Sequence, residues 1–218
     1  KKIITQKGIE LEYDICIFAT GSKAFVLPIE GSNLPSVIGW RTIQDTEQII
    51  DIASKKKKAI VIGGGLLGLE CARGLLDQGM DVTVLHLAEW LMEMQLDRKA
   101  GDMLRADLEK QGMKFELQAN SKRIIGDEDV EAVELADGRV IETDLVVMAV
   151  GIRPYTEVAK DAGLDVQRGI VVNDFLQTSD SNIYAIGECA EHNGIESENN
   201  LFFSHTILLN LTHGLILP

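Results

Sequence analysis

The chain has 218 residues, 45% of them apolar and 25% charged, with a formal net charge of -13. It carries enough apolar residues to bury one large or two small cores, which excludes a disordered class. The acidic excess argues against nucleic acid or an anionic membrane as partner, because either calls for a basic face.

The first elements follow from periodicity and turn residues. Ile3 to Glu12 alternates around Lys7-Gly8 as a hairpin does, and "YDICIFATGS" predicts a buried strand from Ile15 to Ala19 that runs into a glycine turn at Gly21. The opening "KKIITQKG" lacks the layout of a signal peptide and reads as the middle of a hairpin, as in a piece cut from a longer chain. "PIEGSNLPSVIG" reads as a connecting loop, and "DTEQIIDIA" as a short helix with Asp45 as its N-cap, ending in the lysine run Lys55 to Lys58. Those lysines fit a solvated helix C-terminus, where the dipole favours cations.

The centre of the chain is more specific. Ala59 to Ile62 is an unbroken apolar run of parallel-strand type, followed by Gly63, Gly64, Gly65, Leu66, Leu67 and Gly68, which hold GxGxxG spacing, and then by helical periodicity through Leu76. Val82 to Leu85 supplies a second strand, "DRKAGDMLRADLEKQG" a second helix closed by Gly112, and "MKFELQ" a third strand. Three short strands follow around Lys122 to Ile125, Val130 to Leu135 and Val140 to Thr143, and "DLVVMAVG" returns to a buried strand ending at Gly151. Strand, glycine turn, helix and second strand in this order form a dinucleotide-binding unit. The first glycine allows the tight turn, the second lets backbone N–H groups approach a pyrophosphate, and the third lets helix and strand pack closely. The phosphates then meet the positive end of the helix.

The second strand ends on His86. A carboxylate at that place accepts hydrogen bonds from the adenosine ribose and repels a 2′-phosphate, whereas arginine accepts the phosphate. Neutral histidine can bond a ribose hydroxyl and the protonated ring tolerates a phosphate, so NADPH stays open; Gly68, where alanine is the alternative, leans toward NADH. Glu89 lies three residues on, and the nearest downstream arginine is Arg98.

Three segments in order, "YDICIFATGS", "AIVIGGGLLGLECA" and "TSDSNIYAIGECAE", together with "LVVMAVGIRPYTEVAKDAGL", resemble the FAD-dependent pyridine nucleotide-disulfide oxidoreductases from Lys1 to about Ile195. Within that family, "TGSKAFVLPIEGS", "DVTVLHL" and "LMEMQLD" are most similar to the flavoprotein part of NAD(P)H-dependent nitrite reductase large subunits. The resemblance implies an α/β fold, in which a Rossmann-like NAD(P)-binding domain of parallel sheet plus three-stranded antiparallel meander is inserted in a partial FAD-binding domain. The expected divisions are 1–39 and 151–195 for the two FAD flanks, 40–150 for the NAD(P) domain, and 196–218 for a divergent tail, taken as unrelated to the family. The tail has leucines at near-helical spacing, too short and polar to span a membrane.

The same resemblance implies site residues. Thr20 and Gly21 lie near FAD; Gly187 and Glu188 bring an amide and a carboxylate to its pyrophosphate and ribitol, with glutamate where the wider family has aspartate. Arg41 approaches the flavin side, or else forms a surface ion pair; Glu70 lies where nicotinamide meets flavin, or else is an ordinary helix-surface carboxylate; Gly151 lies by the nicotinamide end. Hydride passes from NAD(P)H to FAD with no side chain as acid or base, since the cofactors carry the chemistry. Electrons then leave to an iron-sulfur and sirohaem centre outside this chain, on redox domains or a small subunit of the parent enzyme. A ferredoxin or rubredoxin reductase, an NADH oxidase, and a nucleotide-binding module without turnover share the same motifs.

The family carries two glycine fingerprints and this chain one, so at most weak FAD affinity and no activity of the fragment alone are expected. Cys16, Cys71 and Cys189 form no CxxC pair and sit in apolar runs, the pattern of reduced thiols in a cytoplasmic protein. His192, His205 and His213 show no metal-ligand spacing, so no metal site is expected.

Overall fold

The computed structural model describes residues 1–192 and the backbone of residues 195 and 196. The chain packs as two units: Lys1–Lys23 with the described residues from Ile152 onward, and Ala24–Gly151 between them.

In the first unit, β1 (Lys2–Ile4) and β2 (Glu10–Glu12) form the predicted hairpin, with Lys2 opposite Glu12 and Gly8 in the turn. Next come β3 (Cys16–Phe18) and β4 (Ser22–Ala24). The expectation of a buried strand over Ile15 to Ala19 is corrected: Ile15 is 61% and Ile17 59% exposed. Strand periodicity turns Cys16 and Phe18 inward and Ile17 outward, so only one face of β3 meets the core.

The second unit opens with β5 (Val37–Gly39), inside the segment that reads as a loop. Three residues are too few to show a period; pairing makes the strand. Helix α1 (Ile43–Ala53) is capped by Thr42, not Asp45. The Thr42 hydroxyl accepts the Asp45 N–H at 3.1 Å while Asp45 accepts the Thr42 N–H at 2.6 Å, a capping box that places Asp45 at the third helical position. The helix stops at Ala53, so the lysine run lies beyond its last turn, and Lys58 already belongs to β6 (Lys58–Ile62). Lys56 reaches Asp129, the Ser36 hydroxyl and the Asp144 carbonyl. Desolvation would raise the Asp129 carboxyl, but hydrogen bonds from Lys56, Ser36 and the Val130 N–H outweigh it and hold the group at about 2.

Then follow α2 (Leu66–Asp77), β7 (Asp81–His86), α3 (Arg98–Lys110), β8 (Lys114–Leu117), β9 (Ser121–Ile125), β10 (Ala132–Leu135), β11 (Val140–Glu142) and β12 (Leu145–Met148). Five strands form a parallel sheet in the order β5-β12-β6-β7-β8, and β11-β10-β9 form an antiparallel sheet of their own. Because β5 bonds along β12, from Val37 opposite Val146 to Gly39 opposite Met148, residues 24–39 pack with this unit and not with the first flank to which the sequence assigned them.

Both faces of the parallel sheet are covered. Ala59 and Val61 of β6 pack with Ile49, Ala72 and Leu75 of α1 and α2; Ile60 and Ile62 pack with Ile124, Val133 and Leu135 of the antiparallel sheet. This double burial is why β6 is apolar without alternation. Leu75 alone, 2% exposed, contributes roughly 1.5–3 kcal/mol by leaving water.

The chain re-enters the first unit with β13 (Ile152–Pro154), which pairs with β4, then α4 (Glu157–Asp161) and β14 (Ile170–Val172). β15 (Ile183–Ala185) runs parallel to β3, and β16 (Ala190–His192) runs parallel to β14 and antiparallel to β17 (Ile195–Glu196). Ala159, Ile170, Val172, Ile183, Ala185 and Cys189 form its core. The buried Glu191 carboxylate accepts the Arg168 and Gly169 N–H groups at 3.0 and 2.8 Å, so main-chain donors satisfy it. The tail expected over 196–218 lies outside the described residues apart from the backbone of Glu196, as do His205 and His213. Among the described residues no helix is long and apolar enough to cross a membrane, and no group of three His, Cys, Asp or Glu could hold a metal.

Candidate functional site

The glycine turn leaves the carboxyl end of β6 beside β12. There the sheet order reverses: β7 and β8 continue outward on one side of β6, and β12 returns on the other. Ligands of open α/β sheets bind at such a switch point.

Each glycine has its own reason. A Cβ on Gly63, at φ 119°, would lie 2.3 Å from the Ala149 carbonyl oxygen, and one on Gly68 would lie 1.9 Å from the Gly63 oxygen. A Cβ on Gly64 would lie 2.8 Å from both His86 Cγ and Leu91 Cδ2. These three are glycines because the protein's own atoms leave no room. Gly65 differs: it caps α2 with φ −84°, and none of the described residues lies within 4 Å of where its Cβ would be. No contact among the described residues calls for glycine there.

The main-chain donors divide in the same way. The Gly63 N–H donates to the Leu85 carbonyl at 2.8 Å and the Gly64 N–H to His86 Nδ1 at 3.0 Å. The N–H groups of Gly65, Leu66, Leu67 and Gly68 find no acceptor among the described residues. Four unpaired donors at the positive end of a 12-residue helix, flanked by the exposed Leu66 and Leu67, can hold an anion.

His86 does not point toward solvent. Its ring is buried: Nδ1 accepts the Gly64 N–H, and Nε2 lies 3.0 Å from the Trp90 carbonyl and 2.9 Å from Glu93 Oε2. Since Nδ1 faces a donor, the ring proton belongs on Nε2, where two acceptors face it. The ring therefore joins the glycine turn to the segment after β7, and both nitrogens are engaged before any ribose arrives.

In the first unit, the residues expected near FAD come together. Thr20 Oγ1 donates to the Tyr155 carbonyl at 2.7 Å, and the Gly21 carbonyl accepts the Tyr155 N–H at 2.9 Å. The Ile186 N–H donates to the Phe18 carbonyl at 2.9 Å, extending the β3–β15 pairing to Ile186, and Gly187 next to it opens a single 3-10 turn at φ 70°. Ser22 Oγ donates to Glu188 Oε2 at 2.7 Å, so the longer glutamate is tethered to the strand that follows Gly21. Sequence reading missed Ser22; its place next to Gly21 was the available signal.

Three further residues expected at the site belong to the second unit. Glu70 is exposed on α2, and its carboxylate makes no hydrogen bond or ion pair among the described residues. Arg41 precedes the Thr42 cap, and its N–H donates to Asp45 at 2.9 Å. Gly151, at φ 106°, closes the second unit and accepts the Phe25 N–H at 2.9 Å. Cys16, Cys71 and Cys189 are unpaired thiols, and burial pushes Cys71 up to about 12, where it stays protonated and unreactive.

Comparison with known proteins gives the family and the fold. The profile of the pyridine nucleotide-disulphide oxidoreductase family matches residues 1–201. The chain is 54% identical over 195 residues to a nitrite reductase [NAD(P)H] of Bacillus subtilis, covering 89% of this chain and 24% of that protein. It is 46% identical to the assimilatory nitrate reductase electron transfer subunit of the same organism, over 89% of this chain and 25% of that protein. The chain thus spans about a quarter of the length of these relatives. A crystal structure of a ferredoxin reductase from Rhodopseudomonas palustris superposes with a TM-score of 0.84 at 32% identity, covering 88% of this chain and 48% of that one.

Proposed function

We propose, from the premise that the chain belongs to the pyridine nucleotide-disulphide oxidoreductase family, that it is the nucleotide-binding part of an NAD(P)H-dependent flavoprotein oxidoreductase of the nitrite reductase type. One observation carries the reading: among the described residues the N–H groups of Gly65, Leu66, Leu67 and Gly68 at the start of α2 have no acceptor, and no contact requires a glycine at Gly65. They fit a pyrophosphate, whose oxygens accept from backbone donors without a Cβ in the way.

When bound, nicotinamide and flavin supply the hydride transfer. The chain's own work is binding and placement. Gly65, Leu66 and Leu67 hold the dinucleotide phosphates, and Gly63, Gly64 and Gly68 keep the turn close enough for them to do so. Glu70 and Gly151 belong to the nicotinamide end, and Arg41 to the flavin side. Thr20, Gly21, Gly187 and Glu188 hold FAD, with Ser22 fixing one Glu188 oxygen at 2.7 Å. No side chain is assigned as acid or base. NADH is the preferred donor, and electrons pass to iron-sulfur and sirohaem groups on other domains or a small subunit of the parent enzyme, in the cytoplasm. Likeness to the ferredoxin reductase supports a second reading, in which a ferredoxin takes the electrons.

Isothermal titration of the chain with NADH and NADPH, with and without added FAD, tests this. The expected result is saturable binding with NADH the tighter, and little FAD binding or reduction of an acceptor dye by this chain alone, which carries a single glycine fingerprint. A folded chain that binds neither nucleotide contradicts the reading.

A further inference from the structure

We propose that Glu93, held at the glycine turn by His86, is the carboxylate that makes this site prefer a dinucleotide with a free 2′-hydroxyl on its adenosine ribose over one bearing a 2′-phosphate. The inference rests on the assignment of the glycine turn to a nicotinamide dinucleotide.

In sheets of this type a carboxylate at the end of the second strand bonds the ribose hydroxyls and repels a 2′-phosphate. Here β7 ends on a histidine whose two ring nitrogens already have partners. The segment after the strand supplies what the strand end lacks. It folds back on the glycine turn: the Met92 N–H donates to the Gly64 carbonyl at 3.1 Å, and Met92, at φ 54°, accepts the Gln95 and Leu96 N–H groups at 2.8 Å. Trp90 locks the fold by donating Nε1–H to the Leu96 carbonyl at 3.0 Å and by packing on Gly101, where a Cβ would lie 2.6 Å from its ring. Gly64 is thereby gripped through both its N–H and its carbonyl, and Glu93 is carried to His86 with its Oε2 2.9 Å from Nε2. The Glu93 side chain is 35% exposed, so its carboxylate faces solvent beside the strand end while the imidazole spans the distance from there to the turn.

The nearby cations do not offset this charge. Arg98, the nearest arginine after the strand, is bridged by Glu89 at 3.0 Å and Asp102 at 3.8 Å. Lys99 lies beside it at the start of α3. Three carboxylates against those two cations leave the region acidic, and a 2′-phosphate adds about two further negative charges.

The test is titration of the 218-residue chain with NADH and NADPH at low ionic strength, for the native sequence, Glu93→Gln and Glu93→Lys. Glutamine keeps an acceptor for the His86 proton, so the turn stays intact, which an unchanged thermal midpoint verifies. The expected result is a fall in the NADH-to-NADPH affinity ratio on the order of tenfold for Glu93→Gln, and a further fall for Glu93→Lys. Tight nucleotide binding with the same ratio in all three proteins overturns the role of Glu93 and leaves the dinucleotide site standing. Binding of neither nucleotide to the native chain overturns the site itself and the inference with it.

Discussion

Replacing Gly68 with alanine is expected to destabilise the Ala24–Gly151 unit by about 3 kcal/mol or more, because the added carbon overpacks a place with no room to relax. It would lie 1.9 Å from the Gly63 oxygen, and Gly63 cannot retreat, since its own Cβ position is 2.3 Å from the Ala149 oxygen. Both neighbours are main chain of strand ends in the central sheet. Relief requires α2 to move off β6, which exposes Ala72 and Leu75, both buried. Against a total stability of about 5–15 kcal/mol for a native domain, the loss is large. Urea denaturation with a probe in the second unit measures it, and a midpoint equal to that of the native chain would show that helix and strand approach less closely than described.

Replacing Gly65 with alanine is expected to do the opposite. None of the described residues lies within 4 Å of the added carbon and φ is ordinary, so stability falls by no more than about 1 kcal/mol, the difference between glycine and alanine as a helix cap. The methyl group stands where a pyrophosphate must approach the turn, and nucleotide affinity falls about a hundredfold. Paired stability and titration measurements separate the two glycines: one serves the fold, the other the ligand. Undiminished affinity in a folded Gly65→Ala chain would place the phosphates elsewhere.

Much of the fold can be read from the sequence because its central elements are long and periodic. The apolar run of β6, the glycine spacing and the helical rhythm of α2 together predict strand, turn and helix, and the order of the short strands predicts the antiparallel sheet. What escapes is what depends on distant partners. β5 is three residues in a segment rich in proline and glycine, and it becomes a strand only because β12 lies beside it. The exposure of Ile17 depends on which face of β3 meets a core assembled from residues more than a hundred positions away. At α1, threonine and aspartate are both good caps, and the two side chains share the role.

The site divides along the same line. Glycine spacing marks the turn, but it does not say which glycines serve packing and which leave room for a ligand. His86 is visible as the residue at the strand end, yet its inward turn depends on the aperiodic segment from Leu87 to Leu96, where Met92 adopts a left-handed conformation without glycine. The same segment brings in Glu93, which no spacing rule singles out. Ser22 and Glu188 meet across 166 positions of sequence. Distances of that kind are fixed by topology and not by local pattern.

Whether the amino end of α2 holds the phosphates of a nicotinamide dinucleotide is decided by following backbone amide resonances during an NADH titration. Saturable shifts centred on Gly65, Leu66, Leu67 and Gly68 are expected, since their N–H groups have no acceptor among the described residues. The amides of Gly63 and Gly64, bonded to Leu85 and His86, should shift less. Saturable binding that leaves those four amides unmoved would contradict the phosphate site.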